Sequence, residues 1–95
     1  MDIKLTGHNI EVTPGIKDHV EKKIGHLSKH GAKITNINVS FHIENKDQIA
    51  KAIVLTPGYE FFAQHKSGDL YESIDRLSDK LLAQLDKHSW WLIHF

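Results

Sequence analysis

The side chains that could do chemistry in this sequence are mainly imidazoles and ammonium groups, because its 95 residues include eight histidines and no cysteine. The lack of cysteine excludes a disulfide, a thiolate metal site and a thiol nucleophile, and it fits a reducing compartment. His26 and His30 are four residues apart, a spacing that can present two imidazoles to one metal ion. No Glu or Cys has a suitable spacing to complete the ligand set, and the neighbouring lysines would repel a cation. We therefore expect no metal ion and no other cofactor.

A catalytic arrangement is also missing from the sequence. There is no G-x-S-x-G motif, no glycine-rich phosphate loop and no H-E-x-x-H. The carboxylates fall mostly on helix surfaces that we expect to be solvated, where they need no chemistry. We therefore predict that the protein is not an enzyme.

Two amphipathic helices must position most of the basic groups. A Thr-Pro pair at 13–14 begins the first helix, which should run to His30 and stop at Gly31. A variant of the capping box over 69–72 begins the second helix, which should run at least to His88. Their apolar stripes consist of Ile16, Val20, Ile24 and Leu27 in the first helix and of Leu70, Ile74, Leu77, Leu81 and Leu85 in the second.

Four strands complete the pattern, because apolar and polar residues alternate between the helices and before the first one. The predicted strands are residues 2–7, 36–44, 49–56 and 59–66. The order β-α-β-β-β-α predicts an α+β fold, a two-layer sandwich of a four-stranded sheet with two helices on one face. We expect one domain over residues 1–95 and no membrane partner, since no apolar run approaches the ~20 residues of a membrane span.

The charges cancel in total but are sorted on the helices. Twelve Lys and Arg residues balance twelve Asp and Glu residues, and a zero net charge by itself argues against a nucleic-acid partner. At about 100° per residue, each helix has one basic flank, and the acids of the second helix gather in a separate arc. The flanks carry His19, Lys22, Lys23, His26, Lys29 and His30 in the first helix and Arg76, Lys80 and Lys87 in the second, whose acids are Glu72, Asp75, Asp79 and Asp86. Such segregated charge suits the binding of a polyanion such as a nucleic acid. On the pattern alone, an ordinary solvated surface is an equally good interpretation.

Two segments carry a family likeness. One is TGHNIEVT at 6–13, and the other, at 69–85, fits D-[LM]-Y-x-x-I-[DN]-x-L-x-[DN]-K-L-x-x-Q-L. Together with the element order, and over about residues 1–88, they resemble the ribosome hibernation promoting factor family, which includes the ribosome-associated inhibitor called protein Y. The fold of that family resembles a double-stranded RNA-binding domain with an added first strand.

The resemblance implies a bacterial cytoplasmic protein of stress or stationary phase. Such proteins bind the small ribosomal subunit in the channel of messenger RNA and tRNA anticodon arms, where basic residues of both helices contact 16S ribosomal RNA. This contact blocks translation and preserves idle ribosomes. A chain this short resembles the type that supports ribosome dimerisation with a second small hibernation factor. The sequence leaves open whether it does so, and whether it is a monomer or a weak dimer.

Carried over by position, the resemblance implies RNA contacts mainly through lysines of the two helices. The matching positions are Lys23, Lys29, Lys80 and Lys87, with His26 where Lys is commoner, and Lys17 and Lys33 where a basic residue is frequent. Lys22 and Arg76 are additions of this sequence. The complete predicted RNA-binding set is Lys22, Lys23, His26, Lys29, His30, Lys33, Arg76, Lys80, Lys87 and His88.

Two departures from the family pattern lie near the C-terminus. Ala83 stands where the family commonly has Arg, and residues 89–95 form an atypical apolar tail where the family has a Lys-rich helix end. Trp90 or Trp91 could stack on an RNA base. We favour packing or a dimer contact instead, because tryptophan is more often a packing or interface residue.

The competing interpretation is a protein-interaction or dimerisation module. If alternate residues of the third strand face the helices, then Ile53, Leu55 and Phe62 line the outer face of the sheet. Exposed apolar groups of this kind can mark a partner site, although scattered surface apolar residues are ordinary. The two functions differ in salt dependence, because RNA binding weakens steeply as salt rises.

Overall fold

The predicted order of elements is present, with one short helix added. The computed structural model describes residues 2–30 and 33–94, without the side chains of residues 28, 30 and 88–94. The elements are β1 (Asp2–His8), α1 (Pro14–Lys23), a 3-10 helix (Gly25–His30), β2 (Asn36–Glu44), β3 (Asp47–Thr56), β4 (Tyr59–Ser67) and α2 (Leu70–His94). The α+β prediction is confirmed, and each predicted strand agrees with the observed one to within two residues.

The four strands form one sheet in the order β1-β2-β3-β4. β1 pairs in parallel with β2, because the chain crosses over through α1 between them. β2, β3 and β4 pair antiparallel through two tight turns. Asn45 in the first of these turns and Gly58 in the second have positive φ angles of 60° and 76°. Asn and Gly are the residues that tolerate this backbone region best.

The core lies between one face of the sheet and the two helices. All nine residues of the predicted helix stripes are buried, with at most 7% of each exposed. Burial of such aliphatic side chains contributes about 1.5–3 kcal/mol each, so the stripes are a large source of stability. From the sheet, the core includes Ile37, Val39, Phe41, Ala50, Ala52, Val54, Phe61 and Ala63.

The first helix ends earlier than predicted. α1 stops at Lys23, and the chain continues to His30 as a 3-10 helix. In an α-helix the N–H of Leu27 would donate to the Lys23 carbonyl, but here it donates to the Ile24 carbonyl at 3.0 Å. The hydroxyl of Ser78 donates to the Lys23 carbonyl instead, at 3.0 Å. A side chain of α2 thus takes the place of the next helical hydrogen bond.

This early end changes the directions expected for the residues that follow. A 3-10 helix has three residues per turn, so a rotation of 100° per residue does not extend past α1. The prediction that the first α-helix runs to His30 is therefore wrong, whereas the place of His26 and Lys29 on the basic flank stays a prediction. Gly31, the predicted stop, lies outside the described residues.

The second helix extends beyond the last residue of its apolar stripe. Its backbone runs through His94, beyond the predicted minimum at His88, so most of the apolar tail is helical. The roles considered for Trp90 and Trp91 depend on side chains outside the described part of the structure. Within residues 2–30 and 33–94, no helix is long and apolar enough to cross a membrane.

Candidate nucleic-acid interface

α1 and α2 lie side by side and run in the same direction. The Nε2 of His19 lies 2.7 Å from Oδ1 of Asp75, a partner 56 residues further along the chain. The hydrogen bond from Ser78 to the Lys23 carbonyl joins residues 55 apart. The number of residues between the two partners stays nearly constant from one pair to the next. The two helices are therefore parallel.

A close contact brings the first turns of the two helices together. The ring of Tyr71 meets the imidazole of His19 edge-on, with 5.1 Å between ring centroids. The Tyr71 hydroxyl lies so near Gly15 that a Cβ atom added there would come within 2.9 Å of it. Glycine therefore allows this approach, and Tyr71 and Asp75 together hold the imidazole of His19 against α2.

The opposite side of α2 is attached to β4, which is an edge strand. Lys80 Nζ donates to the Gln64 carbonyl at 2.8 Å, and Gln84 Nε2 donates to the Phe62 carbonyl at 2.8 Å. Such outward carbonyls are otherwise free to pair with another chain. Helix side chains occupy these two, so α2 covers this part of the sheet edge.

These contacts determine where the sorted charges of α2 lie. Asp75 faces α1, whereas Lys80 faces β4. By helical periodicity the other acids of α2 lie on the same side as Asp75 or point outward. The other basic residues of α2 lie on the same side as Lys80. The basic flank of α1 therefore lies next to the acidic arc of α2, and that arc separates it from the basic flank of α2. The two flanks do not merge into one basic surface.

Most of the predicted RNA-binding side chains are exposed. Exposed members are Lys22, Lys23, His26, Lys29 and Lys33 on the α1 side and Arg76, Lys80 and Lys87 on the α2 side. The side chains of His30 and His88 lie outside the described part of the structure. An exposed position leaves the charged end of a side chain accessible to a phosphate group.

Two of the exposed cations already have protein partners. An Nη atom of Arg76 lies 3.0 Å from a carboxylate oxygen of Asp79, in an ion pair whose side chains are both more than half exposed. Such pairs contribute about 0–1 kcal/mol, so a phosphate could replace this carboxylate at small cost. Lys80 uses one of its three donor hydrogens on the Gln64 carbonyl and keeps two for another acceptor.

Sequence reasoning missed two lysines that lie beside this flank. Lys51 and Lys66, on β3 and β4, line the same cleft as Lys80. The signal for their placement was in the sequence, because the two-residue turn at 57–58 sets the strand register and puts Lys51 opposite Gln64. Counting back from that turn would have predicted that both lysines lie on the outer face near the sheet edge.

Metal binding was considered for His26 and His30, and the side chain of His30 lies outside the described part of the structure. In the part of the chain that the structure describes, no group of three His, Cys, Asp or Glu side chains could hold a metal ion. His19 instead bonds to one carboxylate between the helices.

Residues 3–89 match the model of a family described as Sigma 54 modulation protein / S30EA ribosomal protein. The chain belongs to this family. A ribosome hibernation promoting factor of Pseudomonas putida is 38% identical over 88 residues, which are 93% of this chain and 86% of that protein. The resemblance predicted from the two sequence segments is confirmed.

Two solved structures have the same fold as this chain. A ribosomal subunit interface protein of Coxiella burnetii superposes with a TM-score of 0.85 at 35% identity, covering 94% of this chain and 98% of that one. The N-terminal domain of protein Y of Thermus thermophilus gives a TM-score of 0.85 at 33% identity, covering 93% and 99%. The S30EA match includes every contact between α1 and α2 described above, and it ends before Trp90.

Proposed function

We propose that this S30EA-family protein binds 16S ribosomal RNA in the messenger RNA and tRNA channel of the small ribosomal subunit, and silences idle ribosomes there. The proposal rests on exposed cations on two sides of the helix layer in a chain of this family. Relatives named ribosome hibernation promoting factor and ribosomal subunit interface protein support the same role. The protein would act in the bacterial cytoplasm by binding alone, without a catalytic step or a cofactor.

The arrangement of charges suits a channel better than a flat RNA surface. Glu72 and Asp79 point outward between the two groups of cations and would repel phosphates placed over α2. Packed helices have axes about 8–10 Å apart, so one straight RNA strand would not reach both groups without crossing these acids. A channel with RNA walls on both sides would meet each group separately. Every phosphate neutralised in this way releases condensed counterions and favours binding.

The proposed contacts are the predicted RNA-binding residues. On one wall they are Lys22, Lys23, His26, Lys29, His30 and Lys33, and on the other they are Arg76, Lys80, Lys87 and His88. Lysines bind phosphate as mobile point charges, whereas the guanidinium of Arg76 could hold one through two hydrogen bonds after leaving Asp79. Ala83 supplies no such contact, so binding near the end of α2 would be weaker than in a more basic relative.

Cosedimentation with vacant small subunits at increasing salt tests this function. We expect the protein to pellet with the subunits at low salt and to be released as salt rises, with a slope of about −0.7 to −0.9 in log K against log salt for each phosphate contact. A protein that stays in the supernatant at low salt would contradict the proposal.

Support of ribosome dimers is a further step of the same proposal. A protein that occupies the channel would act together with a second small hibernation factor, as the resemblance implies. Sucrose gradients of ribosomes with each factor alone and with both would measure this. A dimer peak that needs both factors is the expected result, and an unchanged peak would limit the protein to single ribosomes.

One observation favours a second candidate function, a protein-interaction or dimerisation module. Phe62 is 52% exposed on the outer face of the sheet, where Ile53 lies opposite it in the strand register. An apolar contact at this face would persist at high salt, unlike RNA binding. Binding to subunits that survives high salt and is lost in Phe62→Ser would therefore support this function over the first.

A further inference from the structure

A cleft lies where the outer face of the sheet meets the β4 edge, and Ile49 is the apolar residue of its lining. Ile49 belongs to the outer face, because its neighbour Ala50 points into the core. No helix covers that face in the described residues, yet only 6% of Ile49 is exposed. His42 and Lys66 flank it in the strand register, so side chains of the sheet itself bury it. The cleft is open to solvent on one side and has a volume of about 430 Å³, within the range of small-ligand sites.

Three lysines line this cleft. Lys51 and Lys66 lie diagonally across the β3–β4 pair, at a spacing of about 7–8 Å, and both line the cleft. Lys80 reaches it from α2 over the strand edge, held by its hydrogen bond to the Gln64 carbonyl. Beside these three lysines the lining contains one carboxylate, that of Glu44. We call this site the β4-edge cleft and define it by Ile49, Lys51, Lys66 and Lys80.

We propose that the β4-edge cleft binds a backbone phosphate of RNA through its three lysines, with the attached nucleoside close to Ile49. The inference rests on the proposed function for the choice of RNA, because Lys80 belongs both to the cleft and to the basic flank of α2. A strand that follows this flank would turn over the sheet edge and place its next phosphate between Lys51 and Lys66. The RNA-contacting surface would then extend from the helix layer to the outer face.

An acidic peptide is the competing occupant, and the edge of β4 disfavours it. Extended peptides commonly bind by adding a strand to a free sheet edge, through main-chain hydrogen bonds. Here the Phe62 and Gln64 carbonyls already accept hydrogen bonds from Gln84 and Lys80. A phosphate needs no free edge, because it is recognised by charge and by the donors of the lysines.

The salt dependence of RNA binding tests the cleft. A short oligouridine RNA would be titrated with the wild type, Lys51→Gln and Lys66→Gln, and the affinity followed by fluorescence anisotropy at several salt concentrations. We expect each variant to reduce the slope of log K against log salt by about 0.7, the value for one contact to single-stranded nucleic acid. Lys4→Gln is the matched control, because Lys4 lies exposed on the outer face at the opposite sheet edge. Slopes that are equal in all four proteins would overturn the proposal.

A second measurement places the ligand and identifies its class. The methyl signals of Ile49 in NMR spectra would be followed during titration with oligouridine and with a polyglutamate peptide of equal charge. In the wild type we expect the Ile49 methyl signals to shift with RNA and to shift less with the peptide. In Lys66→Gln we expect no shift with RNA. Equal shifts with both ligands, or no shift with RNA, would overturn the assignment.

Failure of the cleft and failure of the proposed function give different results. In one case, Lys51→Gln and Lys66→Gln pellet with small subunits as the wild type does, and their oligouridine affinity has the same salt dependence as that of the wild type. Only the cleft is then excluded. If the wild type does not pellet but the slopes still differ as expected, the cleft binds RNA and the channel function is wrong.

Discussion

The hydroxyl of Ser78 donates a hydrogen bond to the carbonyl of Lys23, across an interface between two helices that are far apart in sequence. This contact lies where the α-helical part of α1 ends, and together with the His19–Asp75 contact it fixes the register of α1 against α2. It also anchors the start of the 3-10 helix that carries the remaining cations of the first flank. The position of those cations in the molecule thus depends on a residue of the other helix.

Replacement of Ser78 by Ala tests this contact. We expect Ser78→Ala to lower the free energy of unfolding by about 0.5–1.5 kcal/mol, the usual contribution of one hydrogen bond. Urea unfolding followed by circular dichroism would measure it. Ser78→Thr keeps the hydroxyl and should cost only the few tenths of a kcal/mol of its lower helix propensity. A Ser78→Ala protein as stable as the wild type would show that the bond is not needed.

Replacement of Gly15 by Ala should depend on Tyr71. In an open helix position Ala is more stable than Gly by up to about 1 kcal/mol. Here the new Cβ atom would lie 2.9 Å from the Tyr71 hydroxyl, so Gly15→Ala should bring no such gain in the wild-type background. In Tyr71→Phe, which lacks the hydroxyl, the same substitution should stabilise the protein. Thermal unfolding of the four proteins would show this difference, and additive effects would contradict it.

His19 and Asp75 should be coupled in stability. Their side chains are 23% and 37% exposed and meet at 2.7 Å, so water screens the contact only in part. A double-mutant cycle with His19→Ala and Asp75→Ala should give a coupling energy of about 1 kcal/mol. A parallel cycle between Arg76 and Asp79, which are both more exposed, should give less. Equal coupling in the two cycles would mean that the helix interface does not strengthen the first pair.

Charge reversal in both groups of proposed RNA-binding residues, one on the α1 side and one on the α2 side, should abolish inhibition of cell-free translation. Lys23→Glu and Lys80→Glu should each weaken inhibition, and the double variant should remove it, because each change replaces a favourable phosphate contact by repulsion. Lys4→Glu makes the same change on the outer face away from both flanks and should inhibit as the wild type does. Circular dichroism would confirm that all four proteins are folded. Full inhibition by the double variant would show that these flanks are ordinary surface.

The strands and helix stripes could be predicted because their signal is periodic and local. Val39 and Phe41 alternate with polar residues since one face of β2 is buried, and Leu77 and Leu81 recur at helical spacing since one face of α2 is buried. The end of α1 could not be predicted in the same way. Gly25 follows directly after the C-cap residue Ile24, but the apolar stripe continues through Leu27, and the hydroxyl that binds the Lys23 carbonyl comes from 55 residues away.

By itself the sequence determined the elements, the side of each that is buried, the sorting of charge on each helix and membership of the S30EA family. The tertiary structure alone decided how these charges face one another. Helical periodicity gives the angle of Asp75 relative to Lys80 on α2, but it contains no reference to a neighbouring helix or strand. Packing supplied that reference by placing Asp75 against α1 and Lys80 against β4, so the two basic flanks lie apart and one of them meets the lysines of the sheet.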